Sequence, residues 1–336
     1  MTSKRTVLVT GGGGFLGSAI VRLLISRGET VRSLSRGRYP ELERMGIEHI
    51  CADLADLQAV RRACQGVEAV FHVAAKFGTW GRYEAYYQAN TQATLNLLSV
   101  CREVGVSRLI YTSSPSVVFD GRDMRGVDES APYPARFEGP YAQTKALGEQ
   151  AVLQAAREGL PAIALRPHLI WGPGGVHLID RIISRAKRLR IVGDGTNQVD
   201  TIYVDNAAWA HILAEDGLNR NPALSGRTYF VSQDQPMAFA QMLNDILAAG
   251  GLPPITRKVS PTLARLAALF CEGIYKTLGI ESEPPITRFQ VDAIATDHWF
   301  DISAIKRDLG YKPVVSTEEG LKRLALWLRD YSGSRS

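Results

Sequence analysis

Tyr141 and Lys145 stand four residues apart in Pro140-Tyr141-Ala142-Gln143-Thr144-Lys145, a spacing that puts a phenol and an ammonium on one face of a helix. An ammonium near a phenol favours phenolate, which predicts a lowered tyrosine pKa and ready proton exchange with a substrate oxygen. Upstream, Leu109-Ile110-Tyr111-Thr112-Ser113-Ser114-Pro115-Ser116 closes a strand-like run with hydroxyls. At the carboxyl end of a parallel strand such a hydroxyl faces the ligand crevice, where Ser113 or Ser114 can hold a carbonyl oxygen. Near the start of the chain, Thr10-Gly11-Gly12-Gly13-Gly14-Phe15-Leu16-Gly17 sets glycines at the spacing G-x-x-G-x-x-G. Glycines let backbone approach a pyrophosphate, and the helix N-terminus that follows offers N–H groups and positive potential. A Y-x-x-x-K string alone is common by chance; here it follows a dinucleotide-type loop and a serine-bearing strand end.

These groups need a sheet to position them. Short β-branched runs at Val7–Thr10, Val31–Leu34, Ile47–Cys51, Ala69–His72, Leu109–Thr112 and Ala162–Leu165 alternate with helix-period segments, which predicts a parallel α/β sheet of doubly wound, Rossmann type. Phe15, Leu16, Ala19, Ile20, Leu23 and Leu24 form one helical stripe stopped by Gly28; Leu97, Val100, Cys101 and Val104 form another. After Arg166-Pro167 the rhythm loosens at Gly172-Pro173-Gly174-Gly175 and Gly193-Asp194-Gly195. Residues 1–170 therefore read as the dinucleotide-binding domain, rejoined by about 197–231 through a helix from Val204 to Leu213 and a strand at Thr228–Val231. Residues 171–196 and 232–331 read as a smaller, interleaved substrate lobe. A helix over 261–280 carries Leu263, Leu266, Ala267, Phe270, Ile274 and Leu278 at helical spacing. Packing against the pocket or a subunit neighbour is the plainer reading, and peripheral membrane contact the sharper one. The tail Ser332–Ser336 is expected to fray.

The second strand ends Val31-Arg32-Ser33-Leu34-Ser35-Arg36, with no acid where one would accept from an adenosine ribose 2′-hydroxyl. Ser35 donates to phosphate oxygens and Arg36 pairs with them, so NADP(H) is favoured over NAD(H); a solvated Arg36 is the bland alternative.

Composition narrows the classes. The 39 basic and 34 acidic residues of the 336 are spread along the chain, giving a formal charge of +5 that suits anionic small ligands better than nucleic acid. The Met1–Arg5 start runs straight into a strand, and no apolar run approaches a spanning length, so a cytoplasmic protein is expected. Cys51, Cys64, Cys101 and Cys271 lie far apart without metal-ligand spacing, so reduced thiols and no metal are expected.

Taken together these residues resemble the extended short-chain dehydrogenase/reductase family, and within it the 3β-hydroxysteroid dehydrogenase branch. The resemblance runs through the glycine loop, Ala52-Asp53-Leu54, His72-Val73-Ala74-Ala75, Tyr111–Ser114, Tyr141/Lys145, Leu165–His168, Trp171–Gly174 and Tyr203–Asn206. It implies that Gly11, Gly14, Phe15, Leu16 and Gly17 bind the cofactor, that Asp53 and Leu54 meet the adenine, and that Ala74 and Ala75 line the cofactor path. It implies further that Ser114, in preference to Ser113, holds the substrate oxygen and that Asn90 lies near the active site. Tyr141 would then donate or accept the proton, Lys145 would hold the nicotinamide ribose, and Pro167 and His168 would flank the nicotinamide and substrate. Two classes in the branch look similar. Ser116–Gly121 and Arg166–His168 resemble sterol-4α-carboxylate 3-dehydrogenases, whereas Ala75–Tyr83 and Tyr39–Leu42 resemble 2-alkyl-3-oxoalkanoate reductases. Both interconvert a hydroxyl and a ketone β to a carboxylate on a large apolar body, and Lys76 or Arg82 can meet that carboxylate. Relatives are commonly homodimers. A nucleotide-sugar epimerase or dehydratase recycling held NAD, and a non-catalytic dinucleotide sensor, are the rival readings.

Overall fold

The computed structural model describes residues 5–333. Its central sheet is all parallel: β1 (Thr6–Thr10), β2 (Thr30–Ser35), β3 (Glu48–Cys51), β4 (Ala69–His72), β5 (Arg108–Thr112), β6 (Ala162–Pro167) and β7 (Thr228–Val231), in the order β3-β2-β1-β4-β5-β6-β7. The chain leaves β1 for β2 on one side and returns past it to β4 on the other. A crevice opens where the strand order reverses.

The period of two in the strands decides which helices cover which face. Val7, Val9, Phe71, Ile110, Ile163 and Leu165 pack to one side, with α1 (Phe15–Ser26). Leu8, Val70, Leu109, Tyr111, Ala162 and Ala164 pack to the other, with α2 (Ala93–Val104) and the later turns of α3 (Pro140–Arg157). Buried on both faces, these strands need continuous apolar sequence, and they have it.

Beyond β6 come α4 (Val176–Arg185) and α5 (Val204–Arg220); α5 carries Ala207, Ala208 and Ala210 onto the α1 side of the sheet and runs a further two turns past the expected end at Leu213. Thr228–Val231 pairs in register with Ala164–Pro167. A second, four-stranded sheet sets Met237–Ala238, Gln198–Val199, His298–Phe300 and Met124–Val127 side by side. Met124–Val127 lies within the first 170 residues, so the two lobes interleave more than local patterning suggests. Two further helices, α6 (Pro261–Thr277) and α7 (Arg288–Ala295), pack together beyond it. The helix Thr317–Gly333 takes in the first two residues of the tail expected to fray; residues 334–336, like 1–4, lie outside the described part of the chain. Among the described residues no helix is long and apolar enough to cross a membrane.

Candidate active site

The carboxyl ends of the central strands open into one cavity of about 820 Å³. Gly11, at φ +70°, turns the chain out of β1 so tightly that an added Cβ would lie 3.0 Å from the Ala74 backbone. At Gly17 an added Cβ would lie 2.1 Å from the Gly11 carbonyl oxygen, so the helix and its loop can meet only at glycine. Gly14 is the N-cap of α1 and makes no side-chain cap; Gly11, Gly14, Phe15, Leu16 and Gly17 all border the cavity. First-turn N–H groups have no partner within their own helix, so this end of α1 suits a pyrophosphate.

The loop after β4 is held by a chain of hydroxyls. The Thr10 hydroxyl accepts from Val73 N at 3.2 Å and Ala74 N at 3.3 Å, and pairs with His72 Nδ1 at 2.7 Å. On the far side of the ring, His72 Nε2 meets Thr94 Oγ1 at 3.0 Å, while that hydroxyl donates to Asn90 O at 2.6 Å. Thr94 therefore accepts from Nε2–H, and Nδ1 accepts from Thr10. Burial pushes the His72 pKa down to about 3, so the ring is a neutral strut that carries Ala74 and Ala75 to the cavity wall.

At the ends of β2 and β3, Ser35, Arg36, Asp53 and Leu54 border the same cavity. Arg36 is exposed, and the Ser35 hydroxyl is buried without a partner among the described residues. Asp53 accepts from Ala55 N at 2.9 Å.

Tyr141 and Lys145 lie on the first turns of α3, which Pro140 opens as its first residue. Tyr141 is half-buried with its ring edge-on to Phe77 at 5.4 Å, and its phenol is hydrogen-bonded to Ser114. Ser114 also accepts from Ser116 N at 3.2 Å and Ser116 Oγ at 2.9 Å, which fixes its hydroxyl in place. Ser113 lies beside it with a buried hydroxyl that has no partner among the described residues. Lys145 Nζ donates to Thr112 O at 2.7 Å and sits 4.1 Å over the Tyr111 ring. The expected lowering of the tyrosine pKa is therefore corrected: burial pushes Tyr141 up to about 12, against the Ser114 hydrogen bond that lowers it. Burial also brings Lys145 down to about 7, with Glu149 pulling the other way. Spacing gave the shared face, but desolvation outweighs attraction while the ammonium is engaged on a backbone carbonyl. Behind Lys145, Glu149 accepts from Arg166 at 2.6 and 3.0 Å and from Tyr133 at 2.7 Å, clamping α3 to β6.

Asn90, expected near the substrate, lies one layer back, within a π-turn spanning Tyr87–Gln92. Its amide accepts from Lys76 N at 2.7 Å and donates to Lys76 O and Thr144 Oγ1, each at 3.1 Å. Both ends are engaged, so it shapes the wall at Lys76 and does not border the cavity. Lys76 and His168 do border it, as does Pro167, whereas Arg82 is exposed and outside the lining. Burial, with His298 adding to it, holds His168 near 3; its Nε2 is buried without a partner among the described residues. Sequence reasoning missed Phe119, Met124, Arg181, Phe289, His298 and Phe300, which complete the far wall. Phe119 falls inside the Ser116–Gly121 motif without being singled out as a wall residue, and the others arrive from segments far apart in the chain.

Among the described residues, Arg36, Lys76, Lys145 and Arg181 line the cavity against a single carboxylate, Asp53. That balance, the open end of α1 and the orphaned hydroxyls of Ser35 and Ser113 fit an anionic dinucleotide. The sheet and this cavity define a dinucleotide-dependent oxidoreductase of Rossmann type.

Residues 8–259 match the 3-beta hydroxysteroid dehydrogenase/isomerase family, and the chain belongs to it. It is 47% identical over 323 residues to the 2-alkyl-3-oxoalkanoate reductase of Stenotrophomonas maltophilia (strain K279a), covering 95% of this chain and 98% of that protein. It is 31% identical to the decarboxylating sterol-4-alpha-carboxylate 3-dehydrogenase of Mus musculus, covering 96% and 91%. Among solved structures, gox2253 superposes with a TM-score of 0.79 at 27% identity, covering 98% of this chain and 99% of that one. MoeE5 in complex with UDP-glucose and NAD gives 0.76 at 25% identity, covering 97% and 99%. The chain is accordingly an NAD(P)-dependent oxidoreductase acting on CH–OH groups.

Proposed function

We propose that the chain reduces the ketone of a 2-alkyl-3-oxo acid with NADPH. The observation that carries this reading is the lining of the cavity, which holds the cations Lys76 and Arg181 together with Phe119, Met124, Phe289, Ala293 and Phe300. A carboxylate on a large apolar body satisfies both kinds of group, and the reductase relative at 47% identity acts, by its name, on such a skeleton. Exposed Arg36 at the end of β2, a strand that closes in Ser35-Arg36 with no acid of its own, supports NADPH.

Gly11, Gly14, Phe15, Leu16 and Gly17 would hold the pyrophosphate, Ser35 and Arg36 the 2′-phosphate, and Asp53 and Leu54 the adenine. Ala74, Ala75 and Pro167 would border the rest of the dinucleotide. When bound, the nicotinamide supplies the hydride that reaches the carbonyl carbon. Ser114 and Tyr141 hydrogen-bond the ketone oxygen and polarise it. Tyr141 passes its proton to that oxygen as the C–H bond forms, and Lys145, poised near neutrality, holds ribose hydroxyls and stabilises the phenolate left behind. His168, neutral and unpartnered, offers a hydrogen bond to the substrate without adding charge.

The deciding experiment compares NADPH and NADH consumption on a 2-alkyl-3-oxo acid with NAD(P)+ reduction on a 4α-carboxysterol. Faster NADPH-dependent reduction of the oxo acid is expected; turnover of the sterol alone would overturn the assignment. The likeness to MoeE5 bound to UDP-glucose keeps one rival, a sugar-nucleotide enzyme, in view. Purified protein that carries NAD and turns over UDP-sugars without added cofactor would favour it.

A further inference from the structure

Helix α6 wears its large apolar residues on the outside. Small residues face inward: Ala264 and Ala268 pack with Val192 and Val291. Leu263, Leu266, Leu269, Phe270 and Ile274 face outward at 60%, 59%, 50%, 70% and 40% exposure, and Leu278 just past the helix is 68% exposed. Of the plainer expectations, packing on the pocket is thus corrected; a subunit neighbour and a membrane are the occupants left. Helical periodicity shows that a stripe exists, and the alanines on the opposite side took the packing role because they allow a close approach to α7. Ser260 caps the helix by accepting from Leu263 N at 3.2 Å, and Arg265–Asp292 (3.3 Å) and Arg288–Glu272 (2.7 Å) bind it to α7. A contiguous exposed apolar face on a helix so firmly seated marks an interaction surface.

Its surroundings say what covers it. Exposed Arg185, Lys187 and Arg188 lead into Ile191–Val192, which pairs with Lys258–Val259 immediately before the helix, and Arg257 and Lys258 are exposed there. No acidic residue occurs between Arg181 and Val192, or between Pro254 and Cys271. At the other end, Tyr275 meets Trp80 edge-on at 6.3 Å, and Trp80 Nε1 donates to Ile280 O at 3.1 Å. Trp80 lies three residues from Phe77, which is 65% exposed, lines the cavity and touches Tyr141. The apolar face therefore leads to the mouth of the cavity.

We infer that α6 is an interfacial helix that seats the chain on an anionic lipid surface, with its leucines and Phe270 in the apolar layer and the neighbouring cations on the headgroups. In this pose the mouth at Phe77 opens toward the layer from which an apolar substrate enters, a consequence that rests on the substrate class proposed above. A second copy of the chain is the competing occupant; the cations flanking the start of the helix favour headgroups, and the test below separates the two.

The test is co-sedimentation of the full chain with vesicles of phosphatidylcholine alone and of phosphatidylcholine mixed with phosphatidylglycerol. The protein is expected to partition onto the mixed vesicles and to come off as salt rises. Leu266→Glu with Phe270→Glu should lower that partition about tenfold or more. Lys187→Glu with Arg188→Glu should remove the preference for the anionic lipid. Both double variants should keep the wild-type melting temperature and turnover of a small soluble ketone, since neither pair borders the cavity. Failure of the wild type to bind mixed vesicles, or binding indifferent to the Leu266/Phe270 change, would overturn the inference. So would a vesicle-free dimer that the same change dissociates, which would assign the face to a second copy. Partition is read without turnover, so a wrong substrate assignment and a wrong membrane assignment fail separately.

Discussion

The two edges of the central sheet treat polar groups in opposite ways. At the amino edge, Arg5 and Arg108 share Glu215, with further bonds from Arg5 to Glu29 and from Arg108 to Glu68. Glu215 is only 1% exposed, yet its carboxylate receives both guanidiniums, at 2.7 and 2.8 Å. At the carboxyl edge, Ser35, Ser113 and His168 hold buried polar atoms with no partner among the described residues, Lys145 is driven down to about 7 and Tyr141 up to about 12. Burial is similar at both edges; what differs is whether the chain itself completes the bonds. A saturated edge ties strand ends and α5 together, whereas an unsaturated one waits for a ligand.

Substitutions at the two edges should therefore separate activity from stability. The largest effect is expected at the carboxyl edge: Tyr141→Phe should cut kcat about a thousandfold while the melting curve stays put. Unchanged turnover would remove the phenol from the chemistry. At the amino edge Glu215→Gln should cost about 3 kcal/mol in chemical denaturation, because it takes the shared buried carboxylate from Arg108 and part-buried Arg5, with kcat retained. A loss of activity without loss of stability there would erase the contrast.

The shifted amine offers a pH test. Burial lowers the Lys145 pKa from 10.5 to about 7, so between those values the unfolded chain holds a proton that the folded chain has released. This group thus makes stability rise with pH across that window, and Lys145→Met should flatten the rise in cofactor-free melting temperatures between about pH 7 and 9. Parallel curves for the two proteins would mean that the amine is not desolvated. At the far wall, Arg181, held by Glu283 at 3.3 Å, should matter to the substrate carboxylate. Arg181→Gln is expected to raise KM for the oxo acid about tenfold and to leave KM for its ester alone. The smallest change should come from Arg36→Ala, a rise of about fivefold in KM for NADPH with little effect on NADH; equal effects on both cofactors would argue against a 2′-phosphate contact.

Much of the catalytic edge is legible in the chain because its parts are local. A glycine loop between a strand and a helix, hydroxyls closing β5, and a tyrosine and lysine one turn apart each lie within a short stretch. Other features depend on encounters between distant segments. Met124–Val127 pairs with His298–Phe300 across the chain, and Phe289 and Arg181 reach the cavity from separate helices. Asn90 sits in the right neighbourhood, but only the structure shows its amide engaged by Lys76 and Thr144. Spacing likewise could not give the sign of the Tyr141 shift, which depends on how much water reaches the ring, nor the side toward which the α6 stripe turns.

Hydride delivery at this unsaturated edge is tested most directly with NADPH carrying deuterium at the transferable C4 position and a 2-alkyl-3-oxo acid as substrate. Mass spectrometry should find deuterium at C3 of the hydroxy acid, in step with NADPH consumed, and formed about a thousandfold more slowly by Tyr141→Phe. An unlabelled hydroxy acid, or label transfer undiminished in Tyr141→Phe, would contradict the account.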